Sequence, residues 1–178
     1  MNFTGQIGQD RFVVETLEYK RDGTFLEIGC AEPIRCSNTH VLEKSFNWSG
    51  VSIDIQDIPH GNDPNSSITW QSERPRSKHV IADALAVDYS NLLKDSNMPS
   101  VIDYLSLDLE PPSVTLECLF KIPFDQYKFR VITFETDEYR DGGDERVRIS
   151  RDYLQSKGYT LVAAVNRQDD FYVLNESM

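Results

Sequence analysis

Five short apolar runs recur along the chain, at residues 24–28, 51–55, 79–82, 101–109 and 130–134. They are rich in Ile, Val, Leu and Phe and do not alternate cleanly with polar residues, as expected for strands buried on both faces of a parallel sheet. Stretches with helical spacing lie between them. Phe12, Val13, Thr16 and Leu17 share one helical face, with Asp10 the expected N-cap; Val41, Leu42, Ser45 and Phe46 share another, capped by Ser37 or Asn38. Leu116, Leu119 and Phe120 form a third stripe behind Ser113, and Ile149, Tyr153 and Leu154 a fourth that Gly158 closes. The end of the chain breaks this rhythm. Residues 159–165 and 171–174 read as strands joined by a polar turn, a gap too short for a crossover helix, so the pair is antiparallel. The expected architecture is one α/β sheet of βα units with a closing hairpin and helices on both faces. Residues 1–22 form a helical lead-in. Residues 56–78, with Pro59, Gly61, Asn62, Pro64 and Pro75, read as a long loop of the functional or mobile kind.

The 178 residues fit a single domain. At this length folding buries roughly 70% of the unfolded-chain surface, enough for a self-supporting core. Lys and Arg number 18 against 29 Asp and Glu, a formal net charge of −11. That surface repels phosphates, which argues against nucleic-acid and anionic-membrane partners. Cys30, Cys36 and Cys118 are an odd set without a disulfide framework, so a reducing compartment is the simpler reading. Cys30, Cys36 and His40 match no common zinc spacing. No secretory signal and no membrane-length apolar run is visible, and a cytoplasmic protein is the expectation.

The strand ends carry the chemistry. Ligands of open α/β sheets bind beyond the carboxyl ends of the strands, and here those ends are Glu27-Ile28-Gly29, Asp54, Asp83, Asp108-Leu109-Glu110 and Glu135-Thr136-Asp137. One such carboxylate alone is a solvated loop residue or a helix cap. Five acidic strand ends on one edge point to a site, because uncompensated like charges destabilise a fold. The first turn, Gly29-Cys30-Ala31-Glu32-Pro33, has one glycine and suits a pyrophosphate badly, and no Gly-Lys-Ser/Thr is present. A phosphate-free nucleoside fits better, with Asp54 accepting from both ribose hydroxyls. S-adenosylmethionine (SAM), whose sulfonium is cationic, is such a molecule.

These residues resemble the class I SAM-dependent methyltransferases and, more specifically, the FkbM-type family. The resemblance rests on Gly8-Gln9-Asp10-Arg11-Phe12-Val13, on Glu27-Ile28-Gly29 followed by Ser37-Asn38-Thr39, on Leu105-Ser106-Leu107-Asp108 and on Gly158-Tyr159-Thr160-Leu161-Val162. It covers nearly the whole chain. It implies a Rossmann-like, mostly parallel seven-stranded sheet with an antiparallel terminal hairpin. It also implies that Glu27 and Gly29 frame the methionine end of SAM, with Glu32 and Ser37 over its carboxylate and amine. Asp54 and Ile55 would lie at the ribose, Asp83 and Ala84 at the adenine, and Asp108 and Glu110 toward the methyl group and acceptor. The chain departs from the family at Ala31-Glu32-Pro33, at Glu110-Pro111-Pro112 and at Glu135-Thr136-Asp137, where no histidine base is available.

The implied reaction is O-methylation of a small hydroxylated acceptor, a sugar or glycan hydroxyl. Candidate bases are Asp108, Glu110 and Glu135, with His40 a weaker one. Two other readings stay open. Glu110-Pro111-Pro112-Ser113 is close to the motif of amino-methyltransferases acting on bases, although Ser113 replaces the stacking aromatic and the prolines also serve simply to start a helix. Alternatively the chain binds SAM without catalysis. Asp108, Glu110, Glu135 and Asp137 are hard oxygen ligands suited to Mg²⁺ or Ca²⁺, but a role as base and hydrogen-bond acceptors is the preferred expectation, with no metal assigned. In the long loop, Trp70, Arg74 and Arg76 are candidates for a lid or for acceptor contacts, with plain exposure the alternative.

Overall fold

In a computed structural model, which describes residues 2–140 and 142–175, the apolar runs assemble into one seven-stranded sheet. The elements follow in the order α1 (Gln9–Thr16), β1 (Thr24–Ile28), α2 (His40–Phe46), β2 (Ser49–Asp54), α3 (Trp70–Glu73), β3 (Ser77–Ile81), α4 (Tyr89–Asp95), β4 (Val101–Leu107), α5 (Pro112–Leu119), β5 (Lys128–Glu135), α6 (Gly143–Ser156), β6 (Tyr159–Val165) and β7 (Asp169–Leu174). The strand order is β3-β2-β1-β4-β5-β7-β6. The five strands from β3 to β5 pair in parallel, and β7 lies antiparallel to both β5 and β6.

The lack of polar alternation in the runs has a direct cause. Successive side chains point to opposite faces of a strand, and here both faces are covered. Phe25, Tyr104 and Val131 pack with Val13 and Val14 of α1 and Val41, Leu42 and Phe46 of α2. Their neighbours Leu26, Leu105 and Ile132 pack on the other face with Leu93 of α4, Cys118 and Leu119 of α5 and Leu154 of α6. Among the described residues no helix is long and apolar enough to cross a membrane.

Several expectations need correction. The cap of α1 is Gly8, in a left-handed conformation; Asp10 lies in the first turn and accepts instead from the amides of Thr4 and Gly5. The α2 cap position is Thr39, although Ser37 Oγ does accept from the amides of Thr39 and His40. Ser113 lies within α5, whose cap is Pro111, and Phe120 is half exposed, edge-on to Tyr153. The region 56–78 is not all loop. A 3₁₀ turn at His60–Asn62, the single-turn α3 with its Thr69/Ser72 capping box and the start of β3 all fall within it. Helix α4 stands between β3 and β4, capped by Asp88, where no helix was expected.

Arg74, just after α3, is fully buried and so is not a lid residue. Its guanidinium bonds Glu43 Oε2 at 2.8 Å, Thr39 Oγ1 at 2.5 Å and Ser37 Oγ at 3.1 Å, and stands 3.8 Å from Glu27 Oε2. Glu27 in turn accepts from Thr39 Oγ1 at 2.7 Å and Ser52 Oγ at 2.8 Å. Ser77 Oγ adds a hydrogen bond to Glu43. One cation therefore joins the ends of β1 and β2 to α2 and the start of β3. Trp70 is also buried, stacked on His79 with ring centroids 4.3 Å apart, while Arg76 is exposed. Removing one partner of a buried ion pair leaves the other charge uncompensated, at a cost of about 3–5 kcal/mol. Arg74→Ala is expected to lose stability on that scale, read as a lower urea midpoint; an unchanged midpoint would show that the network carries no such weight.

Candidate functional site

The strand order reverses at β1 and β4, and a crevice opens at the carboxyl edge of such a junction. A cavity of about 360 Å³ occupies it. Its apolar lining comes from Ile55, Ile58, Ala84, Leu109 and Val114, and its polar lining includes Asp54, Asp83, Asp108 and Glu110. Gly29 forms part of its wall. With φ at +84°, a Cβ there would come within 1.6 Å of the Asp108 carbonyl oxygen, so only glycine lets the end of β1 lie against β4.

The backbone of the first turn is already engaged. Gly29 and Cys30 N–H donate to the Ile53 carbonyl at 2.9 and 3.2 Å, and Ala31 N–H donates to Asp54 Oδ2 at 2.9 Å. The first amides of α2 are taken by Ser37 Oγ. A phosphate needs free amides at this place, and the turn offers none of these. Asp54 also accepts from Gln56 N–H at 3.2 Å, one bond per oxygen, which leaves acceptor capacity on both. Asp83 accepts from Leu85 N–H at 2.9 Å, and the Ala84 carbonyl accepts from Tyr89 Oη at 2.9 Å.

The residues anticipated from the sequence thus divide. Gly29, Asp54, Ile55, Asp83, Ala84, Asp108 and Glu110 line one cavity. Glu27 and Ser37 stand behind it in the Arg74 network, and Glu32 is buried against Arg35 and Gly61. Glu135 lies beyond the cavity, beside Asp108. His40 is half-buried and 3.8 Å from Glu73, away from the cavity lining, and burial holds its pKa down.

An acidic rim continues from Asp108. Oxygens of Glu110, Glu135 and Asp137 lie within 4.8 Å of one another. That spacing suits a hard divalent cation, but Arg140 Nη1 already meets both Glu110 oxygens, at 2.9 and 2.7 Å, and Asp137 Oδ2 at 3.0 Å. Glu135 pairs directly with Asp169 across β5 and β7, an arrangement of like groups that destabilises if both are charged. Burial, followed by repulsion from Asp108, Asp137 and Asp169, raises the pKa of Glu135 far above the carboxylic range. Burial also raises Asp108, against a hydrogen bond from Glu135, so this pair retains a proton at neutral pH. Asp169 is pushed up to about 7 by burial and by Asp108, against a hydrogen bond from Gln9 Nε2 at 3.1 Å. Sequence reasoning missed Asp169 and Arg140. Asp169 falls in the stretch that reads as a polar turn from the sequence, but it opens β7 and pairs with β5.

No protein-family model matches the chain, and no curated protein matches it in sequence. Solved structures do match. A "putative rRNA-methylase" from Clostridium thermocellum has a TM-score of 0.57 at 16% identity, covering 97% of each chain. The human methyltransferase 10 domain containing protein has a TM-score of 0.50 at 11% identity, covering 97% of this chain and 83% of that one. The delta-N METTL16 methyltransferase domain has a TM-score of 0.50 at 12% identity, covering 92% and 78%. The chain shares the Rossmann-like fold of these methyltransferases.

An acid that binds its proton more tightly folded than unfolded makes stability fall as pH rises above its unfolded pKa. Glu135, Asp108 and Asp169 all act in that direction. The folded chain is expected to lose stability as pH climbs from about 5 through neutrality. Glu135→Gln is expected to flatten that slope and to raise the urea midpoint at alkaline pH; a variant with the slope of the parent would contradict the assignment.

Proposed function

We propose that the chain is a SAM-dependent methyltransferase of the FkbM type that O-methylates a small hydroxylated acceptor, a sugar or glycan hydroxyl. The reading rests on the turn after β1, whose amides are engaged while Asp54 beside it keeps acceptor capacity on both oxygens. Such a crevice favours a nucleoside without phosphates. The apolar lining, Ile55 and Ala84 among it, suits a flat base, and Asp83 can accept from an exocyclic amine. SAM supplies a methyl group on a sulfonium, a good leaving group. Its positive charge suits the carboxylates of the cavity.

Asp108 is the candidate base. It lines the cavity, and burial brings its pKa toward neutrality, where a base can both be ionised and hold a proton. Glu135, protonated, donates to Asp108 and orients it. Glu110 is held by Arg140 at the mouth and shapes the acceptor side. The net charge of −11 opposes a polynucleotide acceptor. The acidic rim also favours a second reading, in which the acceptor is a small amine drawn in as its cation.

Asp54→Ala is expected to weaken binding of SAM by about 10- to 100-fold, the loss of one or two charge-assisted hydrogen bonds. Asp108→Asn is expected to reduce methyl transfer from labelled SAM to a glycan pool by about 10²-fold or more, with donor affinity nearly kept. Equal SAM affinity in the parent and in Asp54→Ala would remove the ribose assignment. Transfer to a small-amine pool in place of the glycans would favour the second reading.

A further inference from the structure

Glu32 lies in the turn after β1 but lines no part of the cavity. It is 5% exposed, and three groups converge on its carboxylate. Arg35 Nε, from the same turn, donates to Oε1 at 2.7 Å. Gly61 N–H donates to Oε2 at 2.5 Å, and His60 Nδ1 stands 3.1 Å from that oxygen. Gly61 and His60 belong to the 3₁₀ turn at His60–Asn62, in the middle of the connection from β2 to α3. Gly61 has φ at +69°, a conformation that glycine adopts without strain.

The same connection brings Ile55 and Ile58 to the cavity wall, and Ile55 is 64% exposed there. Its other hydrogen bonds among the described residues are local. Asn62 N–H donates to the Pro59 carbonyl, Asn65 N–H to Asp63 Oδ1 and Gln56 N–H to Asp54. Asp57 approaches His79 Nδ1 only to 3.8 Å. A segment with few buried contacts and local bonds opens readily unless it is tied elsewhere. The tie is Glu32. A carboxylate buried to this degree is costly to desolvate, and it is held by charge-assisted bonds of the stronger class.

We propose that Glu32 anchors residues 55–63 as a strap across the nucleoside cavity, and is a positioning residue for donor binding that touches no ligand. The anchor stands on geometry alone; its consequence for binding rests on the nucleoside reading above. Residues 55–63 bring two aliphatic side chains of the cavity wall, Ile55 and Ile58, so freeing them lowers affinity without removing a hydrogen bond to the ligand.

The test measures amide hydrogen exchange over residues 56–66 and S-adenosylhomocysteine affinity by calorimetry, in the parent chain, Glu32→Ala, Glu32→Gln and Ile58→Ala. Glu32→Ala is expected to accelerate exchange in the segment and to raise Kd about 10-fold, as loss of a charge-assisted bond implies. Glu32→Gln keeps an acceptor for Gly61 N–H and is expected to retain most of both. Ile58→Ala is expected to weaken binding several-fold with exchange at Gly61 still slow, and it keeps the proposal testable should Glu32→Ala not fold. Unchanged exchange in Glu32→Ala would overturn the anchor. Faster exchange with unchanged affinity, or unchanged affinity in Ile58→Ala, would overturn the positioning role. Absence of binding by the parent chain would overturn the nucleoside reading and the positioning role with it, while the exchange result would still decide the anchor.

Discussion

The carboxyl edge of the sheet depends on one buried guanidinium. Glu27 and Glu43 are both inside the protein, and a carboxylate in such a place is tolerated only when paired and hydrogen-bonded. Arg74 meets Glu43 directly and Glu27 at longer range, with Ser37, Thr39, Ser52 and Ser77 completing the set. The result is a rigid back wall that joins the ends of β1 and β2 to α2. The front of the same edge is managed differently. Asp108, Glu135 and Asp169 crowd together, and their charge is reduced by raised proton affinity. The charge of the back wall is offset by a fixed cation and that of the front by exchangeable protons. Of the two, the front is suited to proton transfer.

The turn between these regions keeps its amides for internal hydrogen bonds. Open α/β sheets commonly present free amides after the first strand, which is how they cradle phosphates. Here Ile53 and Asp54 accept those amides internally. The same bonds fix the Asp54 carboxylate at the cavity wall with lone pairs to spare. One local arrangement thus withdraws the anion site and fixes an acceptor for hydroxyl groups.

Much of this was legible in the residues, and the rest was not for identifiable reasons. The central strands follow from buried runs such as Thr24–Ile28, because two covered faces demand continuous apolar sequence, whereas the edge strand β6 alternates between buried and exposed positions and was legible from the short polar turn that follows it. Helix α4 was invisible because its seven residues bury only Tyr89 and Leu93, too short a stripe to show a period. The cavity carboxylates were legible because strand ends converge wherever strands are parallel. Glu27 carried the same signal, and Glu32 and Ser37 followed only from the family resemblance; their partners, Arg74 and Gly61, come from residues 56–78, whose local pattern gave no assignment. Their roles depend on long-range contacts that spacing cannot encode. Asp169 emerged only from the antiparallel register that places it opposite Glu135.

We propose that this crevice holds a nucleoside lacking phosphates. Calorimetric titration of the unmodified chain with S-adenosylhomocysteine and, in parallel, with NAD⁺ tests it most directly. Saturable, one-to-one binding of the first and none of the second is expected. Binding of the dinucleotide without the thioether nucleoside would contradict it.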